Sequence, residues 1–228
     1  SLGTRILGGA AFVSNFVSWS EAGYFESSTK PLLHLWSLGV EEQFYLIWPL
    51  VLIVAWKRKT SVRPLLVAIV IASFAMSVWS VGHSHGNAAF YSPLSRFWEI
   101  IAGALLCHIE FNRSVTLSRI RSSVPGRNMA SAAGLALLLG SLGIITASTQ
   151  WPGWLAAMPV SATVLLILAG DAAWINRYLL SFRPVVFIGL ISYPLYLWHW
   201  PLLVYARLLN QEQVPREWRI LILAISFV

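Results

Sequence analysis

Apolar runs long enough to cross a bilayer dominate the chain, and the short loops between them hold most of its charge. A hydrocarbon core about 30 Å thick takes roughly 20 apolar residues at helical rise. Runs of that kind are Leu35–Trp56, Pro64–Val81, Phe90–Ile109, Met129–Ala147, Trp154–Trp174 and Pro184–Tyr205. Partial runs, Arg5–Trp19 and Trp218–Val228, flank them. None of the long runs alternates apolar and polar residues as a membrane β-strand does. The pattern predicts an all-α polytopic transmembrane helical bundle with six complete spans and a partial helix at each end. All of it reads as a single integral-membrane domain over residues 1–228.

Only 11% of the residues are charged, against about 25% in a soluble domain. That excludes a soluble enzyme and a disordered tail. The formal net charge of +7 raises the question of nucleic acid. The basic residues, however, sit in short clusters between apolar runs, as membrane loops do, so no nucleic-acid partner is expected. Ten Lys and Arg lie in loops 57–63, 110–128 and 175–183, against four in the alternate loops and Arg219 just beyond the last of them. The positive-inside rule puts the richer set in the cytoplasm. Loops 20–34, 82–96, 148–153 and 206–217 then face outward, with the surrounding lipid as partner along the spans. Cys107 is the one cysteine and reads as a small packed residue. His83-Ser84-His85 lacks a third ligand, so no metal is expected. No phosphate-cradling glycine loop, zinc-binding helix motif or nucleophile-elbow serine is present.

Ionisable groups within spans are costly and usually face the bundle interior. From Leu35, Glu41 and Glu42 fall roughly 9–11 Å below the outer end of their helix. Arg96 and Glu99 are three apart and can pair, either as a structural ion pair or as working groups. His199 lies roughly 9 Å from its outer helix end near Tyr205, bracketed by Pro194 and Pro201, which predict a kink. It could equally hydrogen-bond a neighbouring helix. The similar depths of Glu41, Glu42, Glu99 and His199 point to one polar cavity opening outward.

The segment from Pro31 through His34-Leu35-Trp36-Ser37-Leu38 and Glu41-Glu42-Gln43-Phe44-Tyr45 to Trp48-Pro49 resembles the signature of the bacterial acyltransferase 3 family. Ser14-Asn15, Arg96-Phe97-Trp98-Glu99 with Gly103, and Ile191-Ser192-Tyr193 through Trp198-His199-Trp200-Pro201 are similar to its other motifs, in the same order. These are membrane O-acyltransferases that modify surface sugars. The resemblance implies transfer of an acyl group, typically acetyl, from acetyl-CoA or another acyl-CoA donor, with no bound cofactor. The acceptor would be a hydroxyl of O-antigen, lipopolysaccharide, peptidoglycan or a similar exported saccharide. The setting would be the bacterial inner (cytoplasmic) membrane.

The family also carries an N-terminal helix with the histidine thought to act as base, which matches no residue of this chain. The chain is therefore expected to be a fragment, inactive alone, with a periplasmic hydrolase-like domain left open. Within it, Glu41, Glu42 and Glu99 are the expected catalytic carboxylates, orienting that histidine or binding sugar hydroxyls. Arg96 would hold Glu99 or meet an anionic acceptor. Tyr193, Trp198 and His199 would form an acceptor or tunnel wall, and His34 would meet the acceptor at the outer boundary. The competing reading is a transporter or flippase of a lipid-linked saccharide, which would also need intramembrane charges and an outward cavity.

Overall fold

The computed structural model describes residues 2–21, 30–83, 86–112, 114–146, 148–210 and 215–226; of residues 2, 116, 216, 220 and 223–225 only the backbone is described. The Ser84-His85 part of the outer-loop histidine pair lies outside the described residues, as does Arg113 of the cytoplasmic set. Among the described residues all regular structure is helical. In chain order the helices are α1 (Leu2–Ala10), α2 (Ser14–Ser20), α3 (Leu35–Lys57), α4 (Val62–Gly82), α5 (Gly86–Tyr91) and α6 (Phe97–Phe111). They continue with α7 (Val115–Ser122), α8 (Val124–Ile144), α9 (Ala157–Ala169), α10 (Arg183–Leu190), α11 (Ser192–Leu209) and α12 (Arg216–Ser226).

Among the described residues three helices are long and apolar enough to cross a membrane: α3, α4 and α8; the pair α10 and α11, bent by 62°, makes a fourth if it is one broken span. Six uninterrupted spans are therefore corrected, and glycine and proline account for the interruptions. The run Phe90–Ile109 breaks at Ser92, whose extended backbone (ψ 129°) is what a following proline favours. One 3-10 turn, Pro93–Ser95, separates α5 from α6, which has 15 residues. The run Trp154–Trp174 forms a 3-10 turn and the 13-residue α9, which stops at Gly170 with φ 74°. Pro184–Tyr205 divides because Pro194 offers no N–H and its ring would meet the carbonyl of Leu190. The expected kink is thus a complete break at Ile191.

The chain forms two compact units, residues 1–45 with 183–228, and residues 46–182. In the first, α1 packs on α2, and α10 and α12 pack on α11. Ala206 and Ile222 meet there, with Leu202 and Leu203 against them. α2 lies close against the start of α3: Ser14 Oγ donates to the Leu35 carbonyl at 2.7 Å. Gly39 permits that approach, since a Cβ there would stand 3.0 Å from Ser14 Oγ and 3.2 Å from the Phe12 carbonyl.

In the second unit α4 packs on α6, and α9 packs on both α6 and α8. Small residues let such helices approach closely where no hydrophobic force drives them together. Ser73, Ser77 and Ser80 are the buried polar face of α4. Ser73 donates to the Leu94 carbonyl at 2.5 Å and accepts from the Trp98 N–H at 3.1 Å, fixing the start of α6. Across α8 and α9, a Cβ at Gly134 would fall 2.9 Å from the Ala162 carbonyl.

Candidate active site

Three polar rings meet in the first unit. His34 closes the turn after Pro31 and immediately precedes α3, where it is only 5% exposed. Tyr196 and His199 are three residues apart on α11, hence on one face. The ring centroids of His34 and Tyr196 are 5.2 Å apart, those of His34 and His199 6.0 Å, and those of Tyr196 and His199 5.8 Å. The Tyr196 hydroxyl donates to the His34 carbonyl. Its oxygen lies 2.5 Å from Ser37 Oγ. Because the tyrosine proton is committed to the carbonyl, Ser37 is the donor in that second contact. One turn further, the Trp200 indole donates to the Lys30 carbonyl at 2.9 Å, fastening the loop before α3 to α11.

The two imidazoles differ in their partners. His199 Nδ1 lies 2.9 Å from the Leu195 carbonyl. A carbonyl can only accept, so Nδ1 carries a proton and donates it to Leu195. Both ring nitrogens of His34 are buried, and no side chain among the described residues hydrogen-bonds them. Burial first, then the neighbouring His199, push the His34 imidazole down to about 4 from an ordinary value near 6.5, with a hydrogen bond at the Leu197 backbone pulling the other way. His34 is therefore neutral at physiological pH.

His34, Ser37 and Glu41 recur at the spacing i, i+3, i+7, which puts Glu41 roughly 10 Å along α3 on the face that carries His34. Glu41 is exposed, and Glu42, about 100° round the helix, is half-buried. Among the described residues neither carboxylate has a hydrogen-bond or ion-pair partner. Tyr193 and Trp198 are 57% and 61% exposed and lie outside the cluster of rings. Gln43 serves as a strut: its amide donates to the Phe12 carbonyl at 2.7 Å and to Asn15 Oδ1 at 2.8 Å, and Asn15 is fully buried. Near the same end Glu21 pairs with the buried Arg5 and, at 3.1 Å, with Lys30. Burial and the Arg5 charge lower the Lys30 ammonium from its usual value.

The second unit holds the other predicted pair. Arg96 Nη1 lies 2.6 Å from Glu99 Oε1, and the Arg96 guanidinium sits 5.4 Å from the centre of the Phe90 ring. Glu99 borders a cavity of about 290 Å³ between α6 and α9, lined by Gly103, Trp151, Pro159 and Thr163 among others. The i,i+3 pairing was legible in the sequence. Tyr196 and Ser37 were not assigned a role there, because their partners lie on another helix.

Over this geometry the profile of an acyltransferase domain matches residues 3–228. The chain belongs to the acyltransferase 3 family. Among its curated relatives in that family is BcsY of Komagataeibacter xylinus, named as a membrane-bound transacylase, 31% identical over 220 residues. That match takes in 95% of this chain and 53% of BcsY. The peptidoglycan O-acetyltransferase OatA of Listeria monocytogenes is 29% identical, over 95% of this chain and 36% of its own length. The O-acetyltransferase OatA of Staphylococcus aureus is 26% identical, over 90% and 35% respectively. The chain thus spans about half the length of one curated relative and about a third of the others. No solved structure gives a significant match. The family match takes in both compact units, and with it the motif residues that sequence comparison brings forward.

Proposed function

We propose that this chain is the membrane portion of an O-acyltransferase of the bacterial cytoplasmic membrane. It moves an acyl group, acetyl in the first instance, from an acyl-CoA donor to a hydroxyl of an extracytoplasmic saccharide. In that reaction the acceptor oxygen attacks the acyl carbonyl carbon, the hydroxyl proton passes to a base, and the thiolate of coenzyme A departs and is protonated. Such a reaction needs a base, donors for the developing oxyanion and a site that holds both substrates.

Glu41 and Glu42 orient the base or hold sugar hydroxyls, and a carboxylate beside a histidine stabilises its protonated form. Glu99, held by Arg96, serves the acceptor in the same way. Tyr193, Trp198 and His199 line the acceptor path, where aromatic faces suit sugar rings, and His34 meets the acceptor at the outer boundary. The observation that carries the reading is the polar face of α3. His34 just before α3, and Ser37 and Glu41 on it, form a stripe with Glu42 and Gln43 beside it, on a helix apolar from Phe44 to Trp56, in a chain of an acyltransferase family, and polar groups at that depth are retained for work.

The test is chemical. The full-length protein is expressed in a strain without glycan acetylation of its own, and purified surface polysaccharide and peptidoglycan are weighed by mass spectrometry. The expected result is a gain of one acetyl mass per modified sugar, abolished by Glu42→Gln at an unchanged protein level. No added mass in any glycan, with the protein folded in the membrane, overturns the reading; saccharide export without modification identifies a flippase instead. Full activity of Glu42→Gln removes Glu42 from its role.

A further inference from the structure

A groove of about 400 Å³ runs between the second half of α3 and the start of α4, and none of the residues assigned to the acceptor lines it. Ile47, Leu50 and Val54 follow at intervals of three and four, one face of the helix. Arg58, whose N–H donates to the Val54 carbonyl at 2.9 Å, ends that face, and Leu65 of α4 forms the other wall. Leu50 and Val54 are more than half exposed, while Ala55 is buried. At helical rise the face from Arg58 back to Ile47 is roughly 16 Å long, about the hydrocarbon depth of one leaflet. At the mouth the chain turns tightly: Lys59 takes φ 52°, and the Thr60 N–H donates to the Ala55 carbonyl at 2.9 Å. Arg58 and Thr60 line that end, with Lys57, Lys59 and Arg63 close by in sequence. All four cations are exposed, and among the described residues none has an ion-pair or side-chain hydrogen-bond partner. The distribution of charge puts this end of α3 in the cytoplasm.

We infer that this groove binds one anionic phospholipid of the cytoplasmic leaflet, an acyl chain lying along Ile47, Leu50 and Val54 and the headgroup phosphate meeting Arg58. Such a site does not depend on acyl transfer. Its walls match a hydrocarbon chain in polarity and, at one leaflet's depth, in length. Its four unanswered cations match a headgroup with net negative charge, and basic pockets between helices on the cytoplasmic side hold acidic headgroups in this way. An arginine fork suits a phosphate because it donates two parallel hydrogen bonds, and its apolar stem can lie along the wall while the charge stays at the interface. Coenzyme A also carries phosphates, but its pantetheine arm holds amides, and walls of Ile, Leu and Val give a buried amide no partner. A further apolar helix would fill the groove and leave the cations unanswered. A phospholipid meets both needs at once.

The full-length protein, reconstituted in phosphatidylcholine vesicles with a trace of phosphatidylglycerol bearing a diazirine near the end of one acyl chain, tests this. Light fixes the probe to what its chain touches, and peptide mass locates it. Labelling is expected on residues 47–54 of α3. It should be about fivefold weaker when phosphatidylcholine carries the same diazirine, or when Arg58→Gln removes one cation, and it should weaken with added salt. Leu50→Trp, which fills the groove and keeps every charge, is expected to abolish the label at an unchanged amount of protein. Equal labelling by the two probes makes the groove an ordinary lipid-facing surface and overturns the inference. A groove left unlabelled while the probe reacts elsewhere overturns it too, since another part of the full-length chain or a second copy then covers the site. Loss of the phosphatidylglycerol label on adding coenzyme A to both sides of the membrane gives the mouth to the donor's phosphates and likewise overturns it. Where neither variant accumulates, the two probes compared on wild type decide.

Discussion

The two polar clusters solve the same problem in opposite ways. Around Arg96 and Glu99 each charge has met its complement: a contact of 2.6 Å, with the Phe90 ring beside the guanidinium. Around His34 the ring lies buried with no side-chain partner among the described residues and a hydrogen bond at the Leu197 backbone, while its own backbone carbonyl is held by Tyr196. A satisfied, half-buried pair is weak evidence for activity, because such pairs also serve to fix structure. A buried ring answered by the backbone alone carries a standing cost, because its second nitrogen is desolvated without a partner. Polar groups in an apolar bundle are best ranked by which of them still lack partners.

The comparison can be broken most sharply by removing one member of each cluster. Arg96→Ala takes the partner from Glu99 at the edge of a largely apolar cavity. It should destabilise the protein by about 1–3 kcal/mol, seen as a lower melting temperature in detergent. Glu99→Gln, which still accepts from Arg96, should cost much less. His34→Leu should do the reverse: the melting temperature is unchanged or higher, because an unsatisfied polar group has gone, while glycan acetylation falls. If Arg96→Ala melts with wild type and His34→Leu melts well below it, the assignment of the two clusters is inverted.

A smaller effect follows from the His34 imidazole. Its value lies near 4 in the folded protein against about 6.5 free, so the unfolded chain takes up a proton that the folded chain refuses. The corresponding stability is present above about pH 6.5 and is lost as the pH falls from there towards 4. Melting temperature measured across that window should decline in wild type, and His34→Leu should lack the His34 share of the decline. Identical pH slopes in the two proteins would show that His34 is not held neutral.

Much of the frame could be read in advance. The start of α3 at Leu35 and the bounds of α4 within two residues follow from hydrophobic runs alone, since a helix long enough to span leaves little choice. The Arg96–Glu99 contact follows from spacing three residues apart. The breaks at Ser92, Gly170 and Ile191 were harder, because a run-based reading weighs apolar character and a proline or glycine inside it changes hydropathy very little. Pro194 reads as a kink; that it ends one helix outright depends on where α10 places the Leu190 carbonyl. Tyr196 stayed hidden for a different reason. Its partners, the His34 carbonyl and Ser37, are about 160 residues away in sequence, and a backbone carbonyl leaves no signature in a side-chain pattern. Gln43 illustrates the same limit: nothing in its motif shows that its amide braces Asn15 and the turn at Phe12.

The central claim is acyl transfer from a thioester donor to a saccharide hydroxyl. Inverted membrane vesicles carrying the full-length protein, with the cytoplasmic face outward and the cell's own saccharides enclosed, test it most directly. Radiolabelled acetyl-CoA is added outside. The account predicts label in the enclosed glycan, coenzyme A released in equal amount, and neither in vesicles carrying Glu42→Gln. Glycan that stays unlabelled while the folded protein is present, with no coenzyme A released above the level of empty membranes, would contradict it.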